Sequence, residues 1–124
     1  VNMDYDNSGS GAAVAGVYPS SEYALQTYFG YDDDIRMEYL EDYTATEFRN
    51  ILKNELELNR PILYVGYEDL DYNGGHAWNV DGYQGNNVHC NWGWGGWNNG
   101  YFNLTTMGGF EAYQAALLNI IPEP

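Results

Sequence analysis

Two short stretches carry the residue types that could do chemistry. They are Gly74-Gly75-His76-Ala77-Trp78 and, further along, Asn91-Trp92-Gly93-Trp94-Gly95-Gly96. The first presents one imidazole on a short apolar and polar run, behind two glycines whose bare backbone lets another group approach. The second is a tryptophan-glycine segment that could fold over that imidazole. An imidazole so placed can accept a thiol proton, provided a neighbour holds it in the right tautomer. The side-chain amide of Asn91, brought near by a hairpin, could be that neighbour, and so could an aromatic plane. A satisfied structural histidine fits the same residues. No cysteine or serine stands in an evident nucleophile setting.

The remaining reactive side chains are weaker candidates. Neighbours on a strand point to opposite faces, so if Asn91 faces a cleft then Cys90 faces the core. There it behaves as a small hydrophobe rather than a nucleophile. His76, His89 and Cys90 are too few ligands at too irregular a spacing for a metal site. No metal or cofactor is therefore expected. Asp4, Asp6 and Asn7 do not match a calcium-binding loop.

The elements that must position His76 follow from periodicity. Residues 1–15 are small and polar around Asn7-Ser8-Gly9-Ser10-Gly11 and read as a surface loop. Pro19-Ser20-Ser21-Glu22 starts a helix whose Ala24, Leu25, Tyr28 and Phe29 share a face, with Gly30 as its stop. Asp32-Asp33-Asp34 is a solvated turn. Thr44-Ala45-Thr46-Glu47 is a capping box, and Phe48, Ile51, Leu52 and Leu56 keep helical spacing, which predicts a helix from about Thr46 to Leu58. After Pro61 the pattern changes to short strands at 62–67, 76–83, 88–92, 101–104 and 117–121, joined by Gly/Asn turns. Two helices followed by an antiparallel sheet make the class α+β. Residues 1–124 show no internal repeat or linker and read as one domain or part of one.

Composition removes other classes. Four lysines and arginines against eighteen acids give a net charge of −14. Phosphate contacts need clustered cations, so nucleic acid is not an expected partner. An anionic membrane surface is disfavoured for the same reason, and no apolar run approaches the ~20 residues of a membrane span. One cysteine cannot form an internal disulfide. No signal-peptide pattern opens the sequence, and its start at Val1 suggests a naturally processed or a recombinant product. Thirteen tyrosines and four tryptophans leave a non-enzymatic alternative open, a carbohydrate-binding module stacking sugars on Trp78, Trp92, Trp94 and Trp97. That reading needs the rings in one exposed plane.

The ordered motifs Gly-Gly-His-Ala, Asp81-Gly82, Asn-Trp-Gly-Trp-Gly-Gly and Gly100-Tyr101-Phe102-Asn103-Leu104 resemble those of the streptopain family of cysteine peptidases, whose fold is papain-like. Met3-Asp4-Tyr5 with Ser8-Gly9-Ser10, Phe29-Gly30-Tyr31, Asn59 to Pro61, Gly108-Gly109-Phe110 and Tyr113-Gln114-Ala115 extend the likeness nearly end to end. It covers the C-terminal, β-rich half of a family catalytic domain.

The resemblance implies that His76 is the proton acceptor of a Cys-His pair. It implies that Trp92 positions the imidazole, with Asn91 as second choice, and that Ser10, Gly75 and Trp94 line the substrate groove. The family nucleophile lies in an N-terminal segment outside this sequence, and Cys90 aligns with an apolar position. A partner chain carrying the catalytic cysteine is therefore expected, with protein or peptide substrates and a secreted bacterial setting. An inactive peptidase remnant is the other outcome.

Overall fold

The protein was analysed as a computed structural model, which describes residues 4–6, 9–11 and 34–121. The helix expected over residues 19–30 lies outside the described residues. Ten elements are described. Strands β1 (Asp4–Asp6) and β2 (Gly9–Gly11) pair antiparallel, with Tyr5 opposite Ser10, where the sequence suggested only a loop. Then come β3 (Arg36–Tyr39), a 3-10 turn (Leu40–Asp42), helix α1 (Ala45–Glu57), β4 (Ile62–Tyr67), β5 (His76–Gln84), β6 (Asn87–Asn91), β7 (Gly100–Phe102) and β8 (Ala112–Leu118). Strands β3 to β8 form one antiparallel sheet in the order β3-β8-β4-β5-β6-β7.

Helix α1 begins where its capping box requires. Thr44 Oγ1 accepts from the Glu47 amide at 3.1 Å, and the Glu47 carboxylate accepts from the Thr44 amide at 2.9 Å. Its apolar stripe buries Phe48 and Leu52 against the sheet. At its far end Glu57 accepts a hydrogen bond from the Tyr83 hydroxyl, and the Lys53 ammonium lies 5.4 Å above the Tyr83 ring. The helix is thereby fastened to β5, the strand that opens with His76.

The sheet has two unlike faces. One carries Ile62, Tyr64, Trp78, Val80, Cys90, Trp92, Ala116 and Leu118 into the main core under α1. The other packs Leu117 with Ile35 and Ile120 in a smaller cluster. Strand β8 is buried on both faces along most of its length, so its sequence shows no alternation. That is why the sequence placed a strand at 117–121 and missed its true start at Ala112. Among the described residues no helix is long and apolar enough to cross a membrane.

Candidate active site

His76 is the first residue of β5, and it shares a face with Trp78 and Val80 because strand side chains alternate. Its imidazole therefore sits at the end of the main core, half-buried rather than enclosed. Among the described residues four aromatic rings surround it. Trp94 is stacked at 4.9 Å between centroids and 18° between planes, Phe110 is tilted at 5.3 Å, Trp78 is stacked at 5.8 Å and Trp92 at 6.2 Å. The register explains the encounter with Trp94. Asn79 faces Asn91 and Val80 faces Cys90, so continuing the ladder outwards carries Trp94 towards His76.

The tautomer follows from one hydrogen bond. His76 Nε2 lies 3.0 Å from the main-chain carbonyl oxygen of Trp92. A carbonyl can only accept, so Nε2 carries the proton and Nδ1 is left with a free lone pair. A ring held so accepts a proton at Nδ1 and stabilises the resulting positive charge against the Trp92 carbonyl and the surrounding π faces. This is the geometry of a general base.

The carbonyl is itself held firmly. Trp92 donates from its amide to Asn99 Oδ1 at 3.1 Å and from its indole to the Asn98 carbonyl at 3.0 Å. Its ring is buried. The Trp97 amide closes a turn onto the Trp94 carbonyl at 3.2 Å. The residue that lets the Trp92 ring lie flat is Gly108, at φ +63°, where an added Cβ would come within 2.9 Å of the indole. Gly108→Ala is expected to destabilise the protein by roughly 1–3 kcal/mol from left-handed strain and contact with the ring. A denaturant titration would register it as a lower midpoint at unchanged slope.

The sequence candidates fall into distinct groups. His76, Trp92 and Trp94 come together as described. Gly75 adjoins His76, and the group approaching its bare backbone is the Tyr67 ring of this same chain, 2.7 Å from where a Cβ would stand. Asn91 is not brought to His76. Residues at neighbouring positions alternate, so it shares the face of Asn79, opposite that of His76, and its Oδ1 accepts from the Gly93 amide at 3.1 Å. It shapes the turn after β6 rather than touching the ring. For Ser10 the description extends to its backbone in β2.

Two aromatic neighbours escaped the sequence reading of the site. Trp78 stacks near His76 and Phe110 lies tilted beside it, and the only signal for Phe110 was its place in the Gly108-Gly109-Phe110 motif. Behind Phe110, the buried Gln114 amide donates to the Leu104 and Glu111 carbonyls, and its oxygen accepts from Tyr64.

Cys90 is fully buried, on the same face as Trp92, and its thiol donates weakly to Met107 Sδ at 3.5 Å. Burial pushes the thiol pKa up to about 12, the opposite of what a nucleophilic thiolate needs. His89 points to the other face, where Nδ1 meets the Asp81 carboxylate at 2.5 Å. The tryptophans do not form the flat plane that sugar stacking requires. Trp78 and Trp92 are buried, and the exposed Trp94 and Trp97 rings are inclined at 50°.

A family model described as the Peptidase C10 family matches residues 1–102. The chain belongs to the Peptidase C10 family. Among curated C10-like relatives, streptopain of Streptococcus pyogenes is 34% identical over 98% of this chain and 32% of its own length. The thiol protease/hemagglutinin PrtT of Porphyromonas gingivalis is 33% identical over 98% of this chain and 15% of its own length. Active interpain A, a cysteine protease of Prevotella intermedia, is similar in structure at a TM-score of 0.76 and 30% identity, over 96% of this chain and 50% of that one. A prointerpain A fragment from the same organism, with a cysteine replaced by alanine, matches at 0.74 and 32%, over 98% of this chain and 38% of that one. The fold of this C10 chain is thus the antiparallel-sheet part of a papain-like peptidase. It spans about a third of the length of streptopain.

Proposed function

We propose that residues 1–124 are the C-terminal, histidine-bearing part of a cysteine endopeptidase, with His76 as the base. The observation that carries this reading is the hydrogen bond from Nε2 to the Trp92 carbonyl, which leaves Nδ1 as the proton acceptor. Trp92 is the positioning residue, through its carbonyl. Ser10, Gly75 and Trp94 border the substrate groove. Asn91 has a supporting role in the turn that presents Trp92.

The nucleophilic thiol comes from a separate N-terminal chain of the same peptidase. Two facts support this. The one cysteine here is buried and protonated, and streptopain is about three times longer than this chain. In the assembled enzyme the thiol gives its proton to His76 Nδ1, and the thiolate attacks the peptide carbonyl. The imidazolium then returns the proton to the leaving amine, and water releases the acyl group by the reverse sequence. An imidazolium beside the sulfur lowers the thiol pKa by several units, which makes the pair competent at neutral pH. Protein substrates, an extracellular setting and maturation from a proform belong to the same proposal. One structural neighbour is described as a proform and another as active enzyme.

The test is reconstitution. This chain alone should leave casein intact, and adding the cysteine-bearing segment should start thiol-dependent hydrolysis. Casein cleavage by the isolated chain, or no cleavage by the mixture, would defeat the proposal. In the reconstituted enzyme Cys90→Ala should keep hydrolysis within about twofold of wild type, because the Cys90 thiol faces the core. The same burial carries a pH signature. Folding raises the Cys90 pKa, so the neutral thiol's share of stability is full below pH 9 and declines between pH 9 and about 12. Denaturation midpoints measured across that window should fall less steeply in Cys90→Ala than in wild type.

A further inference from the structure

The β4–β5 loop, 68–75, builds an exposed aromatic surface at the end of the sheet where β5 opens with His76. Tyr72 stacks on Tyr113 at 4.1 Å between centroids and 5° between planes, and Tyr67 meets both rings edge-on at 5.2 and 6.3 Å. The Tyr113 hydroxyl donates to the Leu70 carbonyl at 2.9 Å, tying the loop to β8. Asp69 holds the loop's shape by accepting from the Asp71 and Asn73 amides at 2.9 and 3.2 Å. Even so, Tyr72 is 60% and Leu70 71% exposed. Large side chains this open do not serve the core. The Tyr67 ring lies against Gly75, the residue before His76, which the proposed function places at the groove.

Its electrostatics specify the ligand. Aromatic faces are negative at their centres and attract cations. Asp71 follows Leu70, whose carbonyl the Tyr113 hydroxyl holds, and desolvation first, then the Tyr72 hydroxyl and the charges of Glu41 and Asp71, raise the Tyr113 phenol above its ordinary range. The β3–β8 register, with Tyr39 opposite Ala115, carries Glu41 towards that end of β8. Among the described residues no lysine or arginine is seen to answer them. Arg36 pairs with Glu38, Arg60 with Glu55, Arg49 donates to Thr46 and Lys53 lies over Tyr83.

We propose that the Tyr72–Tyr113 stack, flanked by Glu41 and Asp71, is a substrate subsite that seats a lysine or arginine side chain a few residues from the scissile bond. It rests on the peptidase reading above and adds a preference to it. The stacked rings provide an exposed π face, the carboxylates provide the charge, and the loop is already held in shape, so little ordering is required on binding.

The experiment uses the complete enzyme and matched peptides that differ by Lys, Leu or Glu at each position around one cleavage site. Wild type should favour Lys over Leu roughly five- to tenfold in kcat/KM at one position. Tyr72→Ala should bring that ratio near one by raising KM for the Lys peptide, while Tyr72→Phe should keep the preference. The inactive His76→Ala enzyme gives a readout free of catalysis. It should bind the Lys peptide several-fold more tightly than the Glu peptide, and lose that difference when Tyr72→Ala is added. Equal binding of both peptides, or a Lys preference untouched by Tyr72→Ala, overturns the subsite. Absence of any hydrolysis would count against the peptidase reading alone and leave the binding comparison decisive for the subsite.

Discussion

Replacing His76 with alanine in the reconstituted peptidase is expected to lower kcat/KM by about 10³-fold or more, with the fold intact. Positioned general bases contribute about 10²–10⁴-fold. In the proposed Cys-His pair the same ring would also stabilise the thiolate by its charge, so removal would lose both effects. The fold should survive because His76 is only half-buried and its one direct polar partner among the described residues is a loop carbonyl. The Trp92 oxygen freed by the mutation can turn to water at the open side. Circular dichroism overlaying wild type, together with loss of turnover, is the expected pair of results. Near-wild-type turnover would remove His76 from the mechanism.

Trp92→Ala is expected to act through a different route and to cost stability as well as activity. Its ring is buried among Trp78, Phe102 and Phe110 and lies against Gly108. Emptying that volume costs about 3–5 kcal/mol, a large share of the 5–15 kcal/mol that holds a typical domain together. The indole's bond to Asn98 goes too, so the turn that carries the Trp92 carbonyl loosens and Nε2 loses its fixed partner. Trp92→Phe separates the two effects. The backbone carbonyl remains and most of the ring volume is kept, so Phe should regain most of kcat while staying below wild type in thermal midpoint. A Phe variant as stable as wild type but as inactive as Ala would mean that the indole itself contacts the reacting groups.

The sequence made α1 legible because its capping box and apolar spacing are local signals, and Thr44 and Glu47 do pair as their types require. It placed β4 at its true ends for the same reason, since Pro61 and the apolar run bound it. Strand β3 was invisible. Arg36-Met37-Glu38-Tyr39 is a short edge strand, and edge strands carry the charges that make them resemble loops. The start of β8 was hidden by Ala112, Ala115 and Ala116, weak strand formers in a strand that is buried on both faces only from Gln114 onward.

The site divides similarly. His76 and the tryptophan segment stood out by composition, and the burial of Cys90 followed from strand alternation. The choice between Asn91 and Trp92 depended on which face β6 turns to His76. That is set by the pairing of Asn79 with Asn91, a register no local pattern announces. The acceptor turned out to be a backbone carbonyl, which leaves no trace in residue type. Phe110 arrives through the geometry of the 104–111 loop and could not have been placed from spacing alone.

The central claim is that the base lies in this chain and the sulfur it deprotonates lies outside these residues. An electrophilic thiol inhibitor of cysteine peptidases, applied to the native reconstituted enzyme and mapped by peptide mass analysis, tests it most directly. The adduct should fall on a cysteine of the N-terminal segment, form slowly or not at all in His76→Ala, and leave Cys90 unmodified. An adduct on Cys90, or labelling at an undiminished rate without His76, would contradict it.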